Sequence, residues 1–412
     1  ERGKKPARKG MAEDRILSRC LIVRPLVSSS MALLIYQLIC TAAAFQPPPS
    51  YSRLSGLRMS SQRADAVAEA NTDRRSLVKG IAAAGVGLGL VGGKRVIDGP
   101  VYSNVVDLSG ENIVITGGNT GLGKAAAVRL AALGAAVTIA CRSPSKAEAA
   151  VKDIQQASGS SAVDAVPLDL TDSSSIASCA RELSGRLGKI DVLMNNAGVM
   201  AIPNRETTAD GYEKQMGINH LGHFRLTSLV LPLLAAASTP RVVNVSSKAH
   251  TLAKLDFSDF FLTKDYDPWV AYGNSKLANI LFTKQLNQWA AEGSLGNAAG
   301  NLRQLTAVSC HPGLVRTELG RYFFNTDNIP LFPFGWLLTP LLIPGIYASR
   351  SPERGAQTQI YCAAEPTLQG TAGGEYFEDC HISTPSKDAR DRQMAARLWE
   401  VSEKLTGASW NA

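Results

Sequence analysis

A tyrosine and a lysine four positions apart, Tyr272 and Lys276 in AYGNSKLAN, lie in a stretch with the apolar rhythm of a helix. Residues at that spacing share one helix face, one turn from each other. A phenol ordinarily titrates near pH 10, too high for ready proton exchange at neutrality, and a neighbouring ammonium favours the phenolate. The pair could move a proton if a second polar group and a reactant meet it. The spacing alone arises by chance in a chain of 412 residues, so its surroundings must decide.

Two upstream segments offer such groups. RVVNVSSKAH reads as a strand, Val242–Val245, ending in Ser246 and Ser247, the latter 25 residues before Tyr272. Serines at strand ends usually cap the backbone, so the type alone does not assign a role. MGINHLGHFRLTSLVLPLL reads as one long helix carrying Asn219, whose amide could equally be a satisfied polar group at a helix contact. His220 and His223 on the same segment have a spacing that can bind metal on a helix, but no third ligand pattern lies nearby and no metal is expected. The seven cysteines are scattered without C-x-x-C or Cys/His spacing, which excludes the usual zinc and disulfide frameworks.

The elements that must position these groups begin in ENIVITGGNTGLGKAAAVRLAALGAAVTIACRS. An apolar run Ile113–Thr116, a glycine-rich turn, a helical pattern and a second run Ala136–Cys141 form one βαβ unit, so the two strands should be parallel. In the turn, Gly117, Gly121 and Gly123 alternate with Asn119, Thr120 and Leu122 as T-G-x-x-x-G-x-G. Absence of Cβ atoms there lets backbone N–H groups and a helix N-terminus approach a pyrophosphate. AVPLDLTD supplies a third run closed by Asp169 and Leu170, and Val192–Met194 delivers Asn195, Asn196, Ala197 and Gly198. AVSCHPGLVRTEL adds another strand followed by Pro312, Gly313 and Thr317.

This order of motifs, from about residue 108 to 405, resembles the short-chain dehydrogenases/reductases. The resemblance implies an α/β fold with a single Rossmann-type, doubly wound parallel sheet flanked by helices. It implies a dinucleotide on the Gly117–Gly123 turn, its adenine beside Asp169 and Leu170, and its ribose along Asn196, Ala197 and Gly198. Pro312, Gly313 and Thr317 would reach the nicotinamide carboxamide, Tyr272 and Lys276 the cofactor as well as the substrate. Hydride would pass from cofactor to a carbonyl or polarised double bond, with Ser247 holding the substrate oxygen, Tyr272 giving the proton and Asn219 holding a water that connects Lys276 to solvent. An Asp at the end of the second strand would select NAD; here Cys141 and Arg142 stand there, and a guanidinium pairs with a 2′-phosphate, so NADP(H) is expected.

GGEYFEDCHISTPS and ARLWEVSEKLTG look like the tail of the retinol-dehydrogenase-like branch, which implies an apolar small-molecule substrate. The aromatic and proline-bearing stretch 321–347 is expected to form an apolar lid near the C-terminus or a peripheral membrane contact, with an internal helix as the other reading. A light-dependent protochlorophyllide reductase is a relative with cysteines at the positions of Ala278 and Leu314, and their replacement here counts against that alternative. A redox sensor or scaffold that binds NADP(H) without turnover is the alternative from another class, and a homodimer is compatible with the pattern.

The overall formal charge of +8 divides unevenly. Residues 1–100 hold 16 Lys and Arg against 7 Asp and Glu, leaving 27 against 28 in the rest, so the body gives no reason to expect nucleic-acid binding. Residues 1–30 are read as leader or untranslated sequence ahead of Met31, and 31–100 as a targeting presequence. An apolar core after Met31, a Ser- and Arg-bearing tract, then Arg74 and Arg75 before a Gly/Ala-rich run resemble the two-part presequences of algal plastids with a twin-arginine thylakoid signal. A tagged full-length chain that stays cytosolic would overturn that expectation. Residues 101–412 form the expected catalytic domain.

Overall fold

A computed structural model describes residues 98–296, 300–315 and 349–410; residues 1–97, which hold nearly all of the expected targeting segment, Thr317 and the stretch 321–347 lie outside the described residues. Eight strands form one sheet in the order β3-β2-β1-β4-β5-β6-β7-β8. They are β1 (Asn112–Thr116), β2 (Ala136–Cys141), β3 (Val163–Pro167), β4 (Val192–Asn195), β5 (Arg241–Val245), β6 (Thr306–His311), β7 (Tyr376–Glu378) and β8 (His381–Ile382). The first seven pair in parallel and β8 returns antiparallel at the edge.

Strand side chains alternate between two apolar layers, as the period of two requires. Ile113, Ile115, Met194, Val243 and Val245 enter one layer, and Val114, Leu193 and Val242 the other. With both faces covered, β1, β2 and β4 read as nearly continuous apolar runs. Each fully buried Val, Ile or Leu contributes ~1.5–3 kcal/mol.

Helices α1 (Gly121–Ala132), α2 (Pro144–Ser158) and α6 (Gln357–Ala364) contribute to the first layer, and α3 (Ser173–Arg186), α4 (Gly222–Leu229), α5 (Pro268–Glu292) and α7 (Arg392–Thr406) to the second. Helix α5 starts where Asp267 accepts hydrogen bonds from the N–H groups of Trp269 and Val270 ahead of Pro268, and ends at Gly293 in the left-handed region. Its middle is buried all round because α7 packs over it, with the rings of Trp399 and Trp289 4.6 Å apart.

The single long helix expected around Asn219 is divided. A short helix Lys214–Met216 passes into a π turn, Gly217–Leu221, and then into α4. The carbonyl of Asn219 accepts from the His223 Nδ1–H, an alternative to regular helical pairing, and a new short helix starts at Leu231 with Pro232 in its first turn. Sheet order reverses between β1 and β4, and a crevice at the carboxyl ends beside such a reversal is where open α/β sheets bind ligands. All strand-end motifs identified in the sequence, from the Gly117 turn to Pro312, follow those carboxyl ends.

Candidate active site

Tyr272 and Lys276 face the same side of α5, with Nζ 5.6 Å from the centre of the phenol ring. They are 4% and 3% exposed, so both reactive groups sit in a medium that penalises charge. Burial pushes the Tyr272 phenol up to about 12, opposed by the nearby Ser247 hydroxyl. Burial likewise brings the Lys276 ammonium down to about 8, with the neighbouring Cys310 acting against it. Desolvation therefore dominates the charge effect anticipated from helical spacing, and the phenol is held protonated at neutrality.

The two serines after β5 divide their roles. Ser246 is buried and donates to the Lys276 carbonyl at 2.8 Å, fastening the strand end to α5. Ser247 is partly exposed, accepts the Ala249 N–H at 3.2 Å and lies near enough to the Tyr272 phenol to lower its pKa. Lys276 Nζ donates to the Val245 carbonyl at 3.0 Å. Close approach of α5 to the following turn requires Gly273, where a Cβ would meet the Ala249 carbonyl at 2.8 Å.

Asn219 is fully engaged. Its amide donates to the Val199 carbonyl and to Ser275 Oγ, both at 2.9 Å, while its carbonyl oxygen accepts the Val199 N–H at 2.8 Å. Its side chain thus clamps the chain leaving β4, beside Gly198, rather than reaching solvent. His223 and Thr116, to which no role was given from sequence, complete this clamp. His223 Nδ1 faces the Asn219 carbonyl, an obligate acceptor, so the proton sits on Nδ1 and Nε2 accepts from Thr116 Oγ at 2.9 Å. Thr116 Oγ in turn accepts the N–H groups of Asn196 and Ala197. Burial lowers the His223 imidazole to about 4, which keeps it neutral. His220 turns instead to Ser402 at 2.9 Å, so the two histidines diverge instead of converging on a metal position.

The glycine turn makes a cradle that side chains would fill. Gly117 has φ +66, and a Cβ there would lie 3.0 Å from Ala197 Cα. Thr120 precedes α1 without a side-chain cap, so the first N–H groups of Gly121, Leu122 and Gly123 receive none of its hydroxyl. Asn196 ties the cradle to β4 by donating to the Thr116 carbonyl at 2.8 Å, and accepts from Gln359 on α6 at 3.3 Å. A close-packed glycine turn followed by helix N–H groups without a side-chain cap fits a dinucleotide pyrophosphate.

Arg142, at the carboxyl end of β2, is exposed and makes no hydrogen bond or ion pair among the described residues. Asp169 accepts from Thr171 N–H and Oγ at 2.9 and 2.7 Å, shaping the loop after β3, while Leu170 is buried against Gly222. Asn119, in the glycine turn, is partly buried. After β6, Gly313 adopts φ +82, and Arg350 holds this turn by donating to the Pro312 carbonyl at 3.3 Å and pairing with Asp379 at 2.6 Å.

Comparison with known proteins places these features among relatives. A family model described as short chain dehydrogenase matches residues 111–328. Retinol dehydrogenase 11 of Homo sapiens is 39% identical over 314 residues, covering 76% of this chain and 91% of that protein. Retinol dehydrogenase 12 of Mus musculus is 40% identical over 318 residues, covering 77% and 93% respectively. Among solved structures, an uncharacterized protein from Mycobacterium paratuberculosis superimposes with a TM-score of 0.58 at 33% identity, over 76% of this chain and all of that one.

Proposed function

Because the chain belongs to the short-chain dehydrogenase family, we propose that it is an NADP(H)-dependent oxidoreductase that reduces the carbonyl of an apolar small molecule, with Tyr272 as proton donor. The observation that carries this reading is a buried Tyr272 kept protonated at neutrality, whose ring lies beside Lys276 and whose titration the Ser247 hydroxyl influences. A binding protein without turnover has no use for a protonated phenol held in that way.

The cofactor would lie on Gly117–Gly123 with Asn119 and Thr120, pass Asp169, Leu170, Asn196, Ala197 and Gly198, and end near Pro312 and Gly313. Bound NADPH would supply the hydride to the carbonyl carbon. Ser247 would donate a hydrogen bond to the substrate oxygen and keep it within reach of the Tyr272 Oη. Tyr272 would release its proton to that oxygen as negative charge develops there. The positive charge of Lys276 would stabilise the phenolate left behind. Trp269, partly exposed and edge-on to the Tyr272 ring at 6.4 Å between centroids, would provide an apolar wall for the substrate. The names of the curated relatives support a retinoid-like or isoprenoid aldehyde as the first compound to test.

Arg142 supports the choice of NADP(H), because a guanidinium at the end of β2 with no partner among the described residues suits a 2′-phosphate. A charge-assisted hydrogen bond contributes about 1.5–3 kcal/mol, so Arg142→Asp should reduce the preference for NADPH over NADH by at least about tenfold. The ratio of kcat/KM values for the two cofactors measures it. An unchanged ratio would remove Arg142 from cofactor selection.

A further inference from the structure

The peptide group joining Ser247 to Lys248 is held at both of its polar ends by imidazoles. The Ser247 carbonyl accepts from His250 Nδ1 at 2.7 Å, as well as from the His250 backbone N–H at 3.0 Å. The Lys248 N–H donates to His311 Nδ1 at 3.2 Å. These bonds set both tautomers. His250 carries its proton on Nδ1, because a carbonyl can only accept, and its Nε2 accepts the Ser386 N–H at 3.1 Å. His311 must leave Nδ1 unprotonated to accept from Lys248.

Each imidazole is anchored in a separate part of the fold. His250 is 2% exposed, packs edge-on to Tyr376 of β7 at 5.2 Å, and joins the turn after β5 to the segment before α7. His311 ends β6, immediately before the Pro312–Gly313 turn. Lys248 is paired with Glu378 at 3.0 Å, so its side chain leaves the imidazoles free of a direct bond to it. Burial pushes both imidazoles below their ordinary range, to about 4 for His311, which keeps each in the neutral form these bonds require.

We propose that His250 and His311 are positioning residues that fix the Ser247–Lys248 peptide from opposite ends and thereby aim the Ser247 hydroxyl at the Tyr272 hydroxyl and the substrate oxygen. Rotation of that peptide would displace the following Ala249 N–H, which holds Ser247 Oγ at 3.2 Å, and release the hydroxyl from its orientation. His311 extends the effect further, because one residue then touches the Ser247 peptide and adjoins the turn expected at the nicotinamide. This inference rests on the assignment of Ser247 to the reaction.

The test compares asparagine with leucine at each position in the full chain, assayed with NADPH and all-trans-retinal alongside Ser247→Ala. An asparagine amide can reproduce a bond made through Nδ1, whereas leucine keeps bulk and makes none. His250→Leu and His311→Leu should each lower kcat at least tenfold with dinucleotide affinity retained, and His250→Asn and His311→Asn should recover most of it. Combining His250→Leu with Ser247→Ala should cost no more than Ser247→Ala alone, because both act through one hydroxyl. Leucine variants with undiminished kcat, or asparagine and leucine variants that fall together in step with their melting temperatures, would overturn the proposal while leaving the role of Ser247 standing if Ser247→Ala is impaired. Undiminished turnover in Ser247→Ala would instead remove the assignment on which it rests.

Discussion

Replacing Tyr272 by phenylalanine should lower kcat by about 10²–10⁴-fold, the contribution of a positioned general acid, without loss of dinucleotide affinity. The substitution removes one oxygen from a ring that is already 4% exposed, so the packing against Trp269 and the helix face persist. What disappears is the phenolic proton. The pH dependence follows from the same geometry. With the phenol pushed up to about 12, the donor form required for carbonyl reduction is filled at neutrality. Reduction should therefore vary little between about pH 6 and 8 from this group, while alcohol oxidation, which needs the phenolate, should rise toward alkaline pH. Steady-state rates in both directions across that range provide the check, and a phenylalanine variant with wild-type kcat would refute the assignment.

Gly123→Ala should produce the second large effect, on binding rather than on proton transfer. A Cβ at Gly123 would lie 2.5 Å from the Gly117 carbonyl oxygen and 2.5 Å from Asn196 Nδ2. Neither neighbour can yield cheaply. Gly117 is backbone in a left-handed turn, and Asn196 is held by its bond to the Thr116 carbonyl. Displacing them opens the cradle and loosens the link between β1 and β4. Dinucleotide affinity should weaken by at least about tenfold, equivalent to 1.4 kcal/mol, with a lower melting temperature. Gly185→Ala on α3 supplies the control, since nothing lies within 4 Å of its added Cβ and alanine favours a helix by about 1 kcal/mol. Equal affinity in the two variants, measured by calorimetry, would mean that the turn does not carry the dinucleotide.

Strands β1, β2 and β4 were legible because they are buried on both faces and therefore largely apolar, as in Val114 beside Ile113 and Ile115. Strand β2 matches its expected limits for that reason. β7 and β8 were not, since three- and two-residue strands containing Glu378 and His381 lack a pattern long enough to register. A π turn hides in the same way, because one wider turn barely disturbs the apolar rhythm of the segment holding Asn219. Tyr272 and Lys276 could be paired by helix geometry, yet the dominance of burial over charge depends on α7 and β5, which sequence spacing does not reveal. The imidazole contacts were hidden more deeply. His223 meets Thr116 107 positions away and His311 meets Lys248 63 positions away, and only the folded sheet brings them together. His220 and His223 show the opposite hazard, a local spacing suited to metal whose rings the fold sends in different directions.

Hydride transfer itself is followed most directly with NADPH deuterated at C4 of the nicotinamide, using both labelled epimers, and all-trans-retinal as acceptor. Mass spectrometry of the product should find one deuterium on the carbinol carbon from one of the two epimers, and loss of labelled alcohol in Tyr272→Phe. Binding of NADPH with no labelled alcohol from retinal or from a panel of apolar aldehydes and ketones would contradict the account of this site as a carbonyl reductase.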